Sequence, residues 1–207
     1  MIDKTKYIVM NQDELNYELI QACCNGYVEL MKYLLTSTEL KVHAYINYRN
    51  NINDWNALIW ACRNGHLNII QYLLTSPELA EHANINHKSK NGSNALMYAC
   101  INGHLNIIQY LLTSPELKKH ADIYHKNKHG FNALMFACEE GHLDIAQYLI
   151  IDMDIKIDKE TMSWIQGKNE KKEVYEDTLK VIESRNLYHQ LNISIDSDTI
   201  NKKKVKV

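Results

Sequence analysis

The stretch NGHLNIIQYLLTSPEL occupies Asn64–Leu79, and the same sixteen residues return at Asn102–Leu117, 38 positions later. The likeness extends outward on both sides. DWNALIWACRNGHLNIIQYLLTSPELAEHANIN begins at Asp54, GSNALMYACINGHLNIIQYLLTSPELKKHADIY at Gly92, and GFNALMFACEEGHLDIAQYLI at Gly130. A weaker copy, NYELIQACCNGYVELMKYLLTSTELKVHAYIN, begins at Asn16 with an offset of 39. Self-similarity at a fixed period of this length marks a stacked repeat architecture.

Each copy reads as two helices. Asn56, Asn94 and Asn132 stand just before an apolar run, where a side-chain oxygen can accept an orphan amide hydrogen. A short helix follows (ALIWACRN in the first full copy), and Gly65, Gly103 and Gly141 end it. The second helix is HLNIIQYLL. Leu67, Ile70, Leu73 and Leu74 share one face, and Ile69 and Tyr72 widen it. An apolar arc that wide needs cover from more than one side, which stacked neighbours supply. TSPEL predicts an extra short helical turn, with Ser76 or Ser114 as cap and Pro77 or Pro115 at the first helical position. KNG and KHG form the turn into the next copy, with glycine available for positive φ. Asp54 replaces that glycine at the first junction, so the turn there is expected to be less regular.

After the last copy, the segment from Asp158 to about Leu191 has helical periodicity and no repeat signature. Val174, Tyr175, Thr178, Leu179, Val181, Ile182 and Arg185 fall at three- and four-residue steps. It reads as a capping helix pair with Trp164 buried, followed at 192–207 by a polar, basic and mobile tail.

Apolar residues make up 45% and charged residues 23%, enough for a packed core. A formal charge of −2 gives no global pull toward nucleic acid or acidic membranes. No run approaches the ~20 apolar residues of a membrane span, and the N-terminus lacks a signal-peptide run, so a cytoplasmic location is expected. Cys62, Cys100 and Cys138 occupy one equivalent position, matched by Cys23 in the weak copy. One cysteine per layer, with layers ~8–10 Å apart, cannot gather on one zinc ion. The histidines also recur with the period: His66, His104 and His142 open second helices, His43, His82 and His120 follow the PEL segment, and His87 and His125 lie in turns. They read as columns of structural hydrogen bonds. No catalytic motif, metal site or cofactor site is expected.

GSNALMYACINGHLNIIQYLL resembles the ankyrin repeat, whose unit is about 33 residues of β-turn and two antiparallel helices. The match lies at the first Gly, the Leu, the first Ala, the GHL, the Ile and the double Leu. HADI and HANIN resemble the family's GADVN, and five extra residues (PELKK, PELAE) lengthen the unit to 38. Two departures stand out. The family's Thr-Pro is Asn-Ala here, and its turn-layer histidine is Ile59, Met97 or Met135. The resemblance covers residues 13–158, about 70% of the chain. It implies an all-α ankyrin-type repeat solenoid with β-turn connections. The expected domain is 1–191: an N-terminal capping repeat at 13–53, repeats at 54–91, 92–129 and 130–158, and a helical cap at 159–191.

The resemblance also implies a non-enzymatic module, monomeric, that binds a partner protein through a concave face of turn tips and first helices. In this sequence that face is Asn53, Trp55, Lys90, Asn91, Ser93, Lys128, His129 and Phe131 on the turns. On the helices it is Trp60, Arg63, Tyr98, Ile101, Phe136, Glu139 and Glu140. Copies differ most at these positions, while second helices are nearly identical. Trp60, Tyr98 and Phe136 form a column, half core and half groove floor. Trp55 and Phe131 at the turn tips read as interface anchors. Charge shifts from Arg63 to Glu139 and Glu140, which suits a partner of uneven charge. No nucleic acid or membrane partner is expected. Many ankyrin proteins are secreted to engage host proteins, and the Asn-, Lys- and Ile-rich composition suits an AT-rich genome. The other reading is an adaptor whose C-terminal segment carries an enzymatic or nuclear-targeting function, NKKKVKV being weakly like a localisation signal.

Overall fold

Asn56 and Asn94 both cap helices. Asn56 Oδ1 accepts from Ile59 N at 3.0 Å, and Asn94 Oδ1 accepts from Met97 N at 3.0 Å. Asn132 does the same for Met135 N at 2.9 Å. These contacts start the first helix of each full copy in a computed structural model that describes residues 4–167 and 172–204. Among the described residues there are helices and turns and no strand, so the chain is an all-α repeat solenoid, as its pattern implied. Removing one cap isolates its contribution. Asn94→Ala is expected to lower unfolding free energy by about 1 kcal/mol, read as a lower urea midpoint with an unchanged slope.

The chain divides into two compact units, Met1–Phe136 and Ala137–Val207. The first unit opens with α1 (Thr5–Ile8) and continues as helix pairs: α2 (Gln12–Asn25) with α3 (Val28–Thr36), α4 (Ala57–Asn64) with α5 (Leu67–Thr75), and α6 (Ala95–Ile101) with α7 (Leu105–Thr113). α4 packs between α2 and α6, and α3 packs on α5. α1 lies outside the repeat pattern. Its Tyr7 is buried, with the Tyr33 ring 6.1 Å away. α2 is longer than the other first helices because Asn11 and Glu14 form a capping box ahead of the repeat pattern.

Second helices bury part of what their pattern predicted, with Leu67, Tyr72 and Leu74 of α5 only half-buried. Ile69, Ile70 and Leu73 are fully covered in α5, as are Ile107, Ile108 and Leu111 in α7. Gly65 ends α4 at φ 83°, and an alanine Cβ there would lie 2.8 Å from the His104 ring of the next copy. The glycine therefore serves twice, once for the left-handed turn and once for the close approach.

TSPEL differs from expectation. It forms one reverse turn rather than a helical one. Leu79 N donates to Ser76 O at 3.3 Å, and Ser76 sits in extended conformation ahead of Pro77. A residue before proline is pushed from the helical region, and proline then occupies the second position of the turn. The Ser76 hydroxyl accepts from Glu78 N, and Tyr72 OH donates to Glu78 at 2.7 Å.

α8 (Ala133–Glu140) spans the division between the units. The second unit holds α9 (Leu143–Gln147), which runs directly into a π-helical turn at Tyr148–Asp152, then α10 (Lys159–Gly167) and α11 (Lys172–Lys204). Ile151, Asp152 and Met153 stand where the earlier copy has Thr75, Ser76 and Pro77. Without the serine-proline exit, the chain keeps winding and absorbs an extra residue as a π turn. α11 packs on α9, on the π turn and on α10. Its predicted face is the packed one: Tyr175, Thr178 and Ile182 are buried. Trp164, expected to be buried, is half-buried, its ring 5.6 Å from that of Tyr175. α11 continues to Lys204, past the predicted boundary at Leu191 and through most of the expected tail. Residues 205–207 of that tail lie outside the described residues.

Candidate functional site

Turns of the first unit join into a ladder. Lys90 N donates to Asn53 O and Lys128 N donates to Asn91 O, both at 2.9 Å. Each turn is pinched at its base, by Ser89 N to Ser93 O and by Asn127 N to Phe131 O, again at 2.9 Å. The first turn closes from Asn50 N to Trp55 O at 3.0 Å, one residue longer than the others. Asp54 holds the left-handed position there at φ 62°, where Gly92 and Gly130 hold 83° and 80°. The irregularity expected at Asp54 is thus one inserted residue, tolerated because aspartate visits this region more readily than most.

Histidines tie together successive turns and successive copies. His87 Nε2 donates to Asp54 O and His125 Nε2 to Gly92 O, both at 2.7 Å. His66 donates to Cys24 O and His104 to Arg63 O, both at 3.0 Å. His43, His82 and His120 close their own copies onto Ser37, Ser76 and Ser114 carbonyls. Ile59, Met97 and Met135, which replace the family's turn histidine, are buried apolar packing. The turn layer gains its imidazole bond from His87 and His125 of the following turn instead. Cys23, Cys62 and Cys100 are buried and form no disulfide, and burial pushes the Cys23 and Cys62 thiols well up. Cys138 is pushed up to about 11, mainly by burial, with its Sγ 3.6 Å from Thr178 Oγ1. Protonated, enclosed thiols act as small apolar groups. Among the described residues no three of His, Cys, Asp and Glu gather as metal ligands.

The predicted partner-facing residues separate by environment. Arg63, Lys90, Asn91, Lys128 and His129 are exposed, while Asn53, Trp60, Ile101, Phe131 and Phe136 are half-buried. Three are buried, which corrects the expectation that they are displayed: Trp55 at 7%, Tyr98 at 7% and Ser93 at 1% exposure. The Trp55 ring lies edge-on to Trp60 at 4.7 Å and to Tyr98 of the next copy at 4.6 Å. Edge-to-face contact and the large apolar area of the indole favour this burial. The Ser93 hydroxyl accepts from Asn127 Nδ2 at 3.2 Å, another tie between successive turns. Phe131 and Phe136 pack on each other at 5.3 Å and keep part of their surface open.

Arg63 supplies a feature that the repeat comparison passed over. Its guanidinium lies 5.0 Å from the Trp55 ring and 5.8 Å from the Trp60 ring. The signal for it is the three-residue step from Trp60 to Arg63 on one helix. Glu139 and Glu140 belong to the second unit. Glu140 is exposed, whereas half-buried Glu139 accepts from Tyr175 OH at 3.1 Å. Burial, then that carboxylate, pushes the Tyr175 phenol up. Glu139 is therefore engaged inside its own unit.

With this geometry in place, the comparisons with known proteins fall on the repeat. A family model described as ankyrin repeats (3 copies) matches residues 3–79 and 75–161. The chain belongs to the ankyrin-repeat family. A chain in the crystal structure of the yeast ribosomal protein Rps3 in complex with its chaperone Yar1 is similar in fold. Its TM-score is 0.59 at 22% identity, over 72% of this chain and 99% of that one. No curated protein matches the sequence. Among the described residues no helix is long and apolar enough to cross a membrane.

Proposed function

We propose that this chain is a non-enzymatic protein-binding module whose partner lies across the turns and first helices of the first unit. The coincidence of variation with exposure carries this reading. Between the two full copies of the first unit, Leu67–Leu79 and Leu105–Leu117 are identical, and their apolar side chains form the core. Arg63 against Ile101 varies, as does Ile52 against Lys90 at the turns leading into the two copies, and all four are open at least in part. A face that changes on a scaffold held constant is where recognition resides. Membership of a family of interaction modules supports the same reading, as does a fold relative whose structure is that of a protein complex. The C-terminal segment serves as a cap: its Tyr175, Thr178 and Ile182 are used in packing.

Affinity capture from a cell extract tests the proposal. Ile101→Arg combined with Phe131→Ser should abolish capture of the partner by the folded chain. Gln71→Arg combined with Gln109→Arg, on exposed second-helix positions, should leave it intact. Capture that ignores the first pair of changes, with an unchanged circular dichroism spectrum, rejects this face.

A further inference from the structure

We infer that the turn ladder of the first unit, with Arg63 beside it, recognises an extended acidic segment of a partner protein. The inference rests on the protein-binding reading above and adds the chemistry of the partner. The three turns at 48–54, 87–92 and 125–130 carry Arg49, Lys88, Lys90, Lys126 and Lys128, and their one acidic residue is Asp54. Arg49 already pairs with Asp54 at 3.5 Å. The whole chain has a formal charge of −2, so this basic bias is a local property of one edge.

Four of the cations wait without a counter-charge. Arg63, Lys88, Lys90 and Lys128 are exposed, and among the described residues none has a carboxylate at ion-pair distance. Lys90, Lys128 and Arg63 are also held in order. Lys90 Nζ reaches back along the ladder to Asn51 O at 2.6 Å. Lys128 lies against Gly92 of the preceding turn, where an added Cβ would come within 3.2 Å of its Cγ. Both lysines thus lean over the turn before their own. Arg63 is steadied by two indole faces. A planar guanidinium fixed in this way loses little freedom when it takes a carboxylate in its fork.

Spacing selects the shape of the ligand. Packed helical layers recur about every 8–10 Å, and an extended polyproline II chain advances about 3.1 Å per residue and returns its side chains to one side every third residue. Acidic side chains three residues apart therefore meet successive turns. A nucleic-acid surface calls for a strongly basic domain, whereas this chain has a pI near 6.5, so a peptide is the better fit.

The test uses the full chain and a fluorescein-labelled peptide of about ten residues, long enough at about 3.1 Å per residue to cross the ladder. Glutamate stands at every third position between glycine and serine, and a second peptide carries glutamine instead. By fluorescence anisotropy, the acidic peptide should bind at least about tenfold more tightly, and added salt should erode that margin. Lys90→Glu with Lys128→Glu should abolish the preference, Arg63→Gln should reduce it, and Gln71→Glu with Gln109→Glu should not change it. Equal binding of both peptides overturns the inference. So does a preference that survives the lysine reversals, or an oligonucleotide of matched charge that displaces the peptide more effectively than unlabelled peptide does. If the peptide fails while Ile101→Arg with Phe131→Ser still blocks capture, the acidic partner is wrong and the broader binding reading stands.

Discussion

Gly65→Ala is expected to destabilise the chain by about 2–3 kcal/mol. Two costs combine. An L-residue at φ 83° crowds its Cβ against the following carbonyl, worth about 1–2 kcal/mol. The new methyl would also stand 2.8 Å from His104 Cε1. The imidazole can retreat only by giving up its 3.0 Å bond to Arg63 O, worth about 1 kcal/mol. Gly141 separates the two terms, because it has φ 84° and its nearest neighbour, a Val174 methyl, would be 3.9 Å away. Gly141→Ala should therefore show the backbone cost alone. In a double-mutant cycle, Gly65→Ala should cost less when His104 is already alanine, the difference being the ring clash. Chemical denaturation reads all of these, and equal losses at Gly65 and Gly141 would remove the contact from the account.

Ile108→Ala should cost about 2–5 kcal/mol, and Ile70→Ala should cost the same within error. Both side chains have 0% exposure at the same place in identical helices. The next pair should diverge although the letters agree. Leu112 is buried at 7% exposure and its counterpart Leu74 is only half-buried. Leu112→Ala should be the more damaging, because more apolar surface leaves water on folding at that site. Equal losses at Leu74 and Leu112 would mean that burial at this step contributes little. A larger loss at Leu74 would reverse the order argued here.

These contrasts mark what a repeated sequence can and cannot disclose. Its period located the caps at Asn56 and Asn94, the helix-ending Gly65 and the buried cysteines, because each follows from a local rule applied at a fixed step, whereas α6 has its C-cap at Asn102, one residue ahead of Gly103. Period does not set the direction of a side chain. Trp55 precedes its helix, in a turn, and reads as a displayed anchor. It is buried because Trp60 of its own copy and Tyr98 of the next close over it, and that contact belongs to the space between copies. The open face was better marked: Arg63, Lys90, Asn91, Lys128 and His129 were picked out by variation and are exposed. TSPEL was misjudged for a different reason. Proline after serine suits the first helical position and the second position of a reverse turn equally, and the Glu78 contacts with Ser76 and Tyr72 that favour the turn are invisible in the string. α1 and the length of α11 fall outside the period, so the comparison of copies was silent about both.

The π turn at Tyr148–Asp152 gives the array a grammar. An interior copy such as 92–129 begins with a glycine that receives the chain and carries a serine-proline pair that releases it. It could be doubled or deleted in frame and still meet compatible ends. The last copy lacks that release, and its helix runs one residue past the point at which the first full copy leaves its second helix. Gain and loss of copies are thereby confined to the interior, and Ile151–Met153 works as punctuation that closes the series.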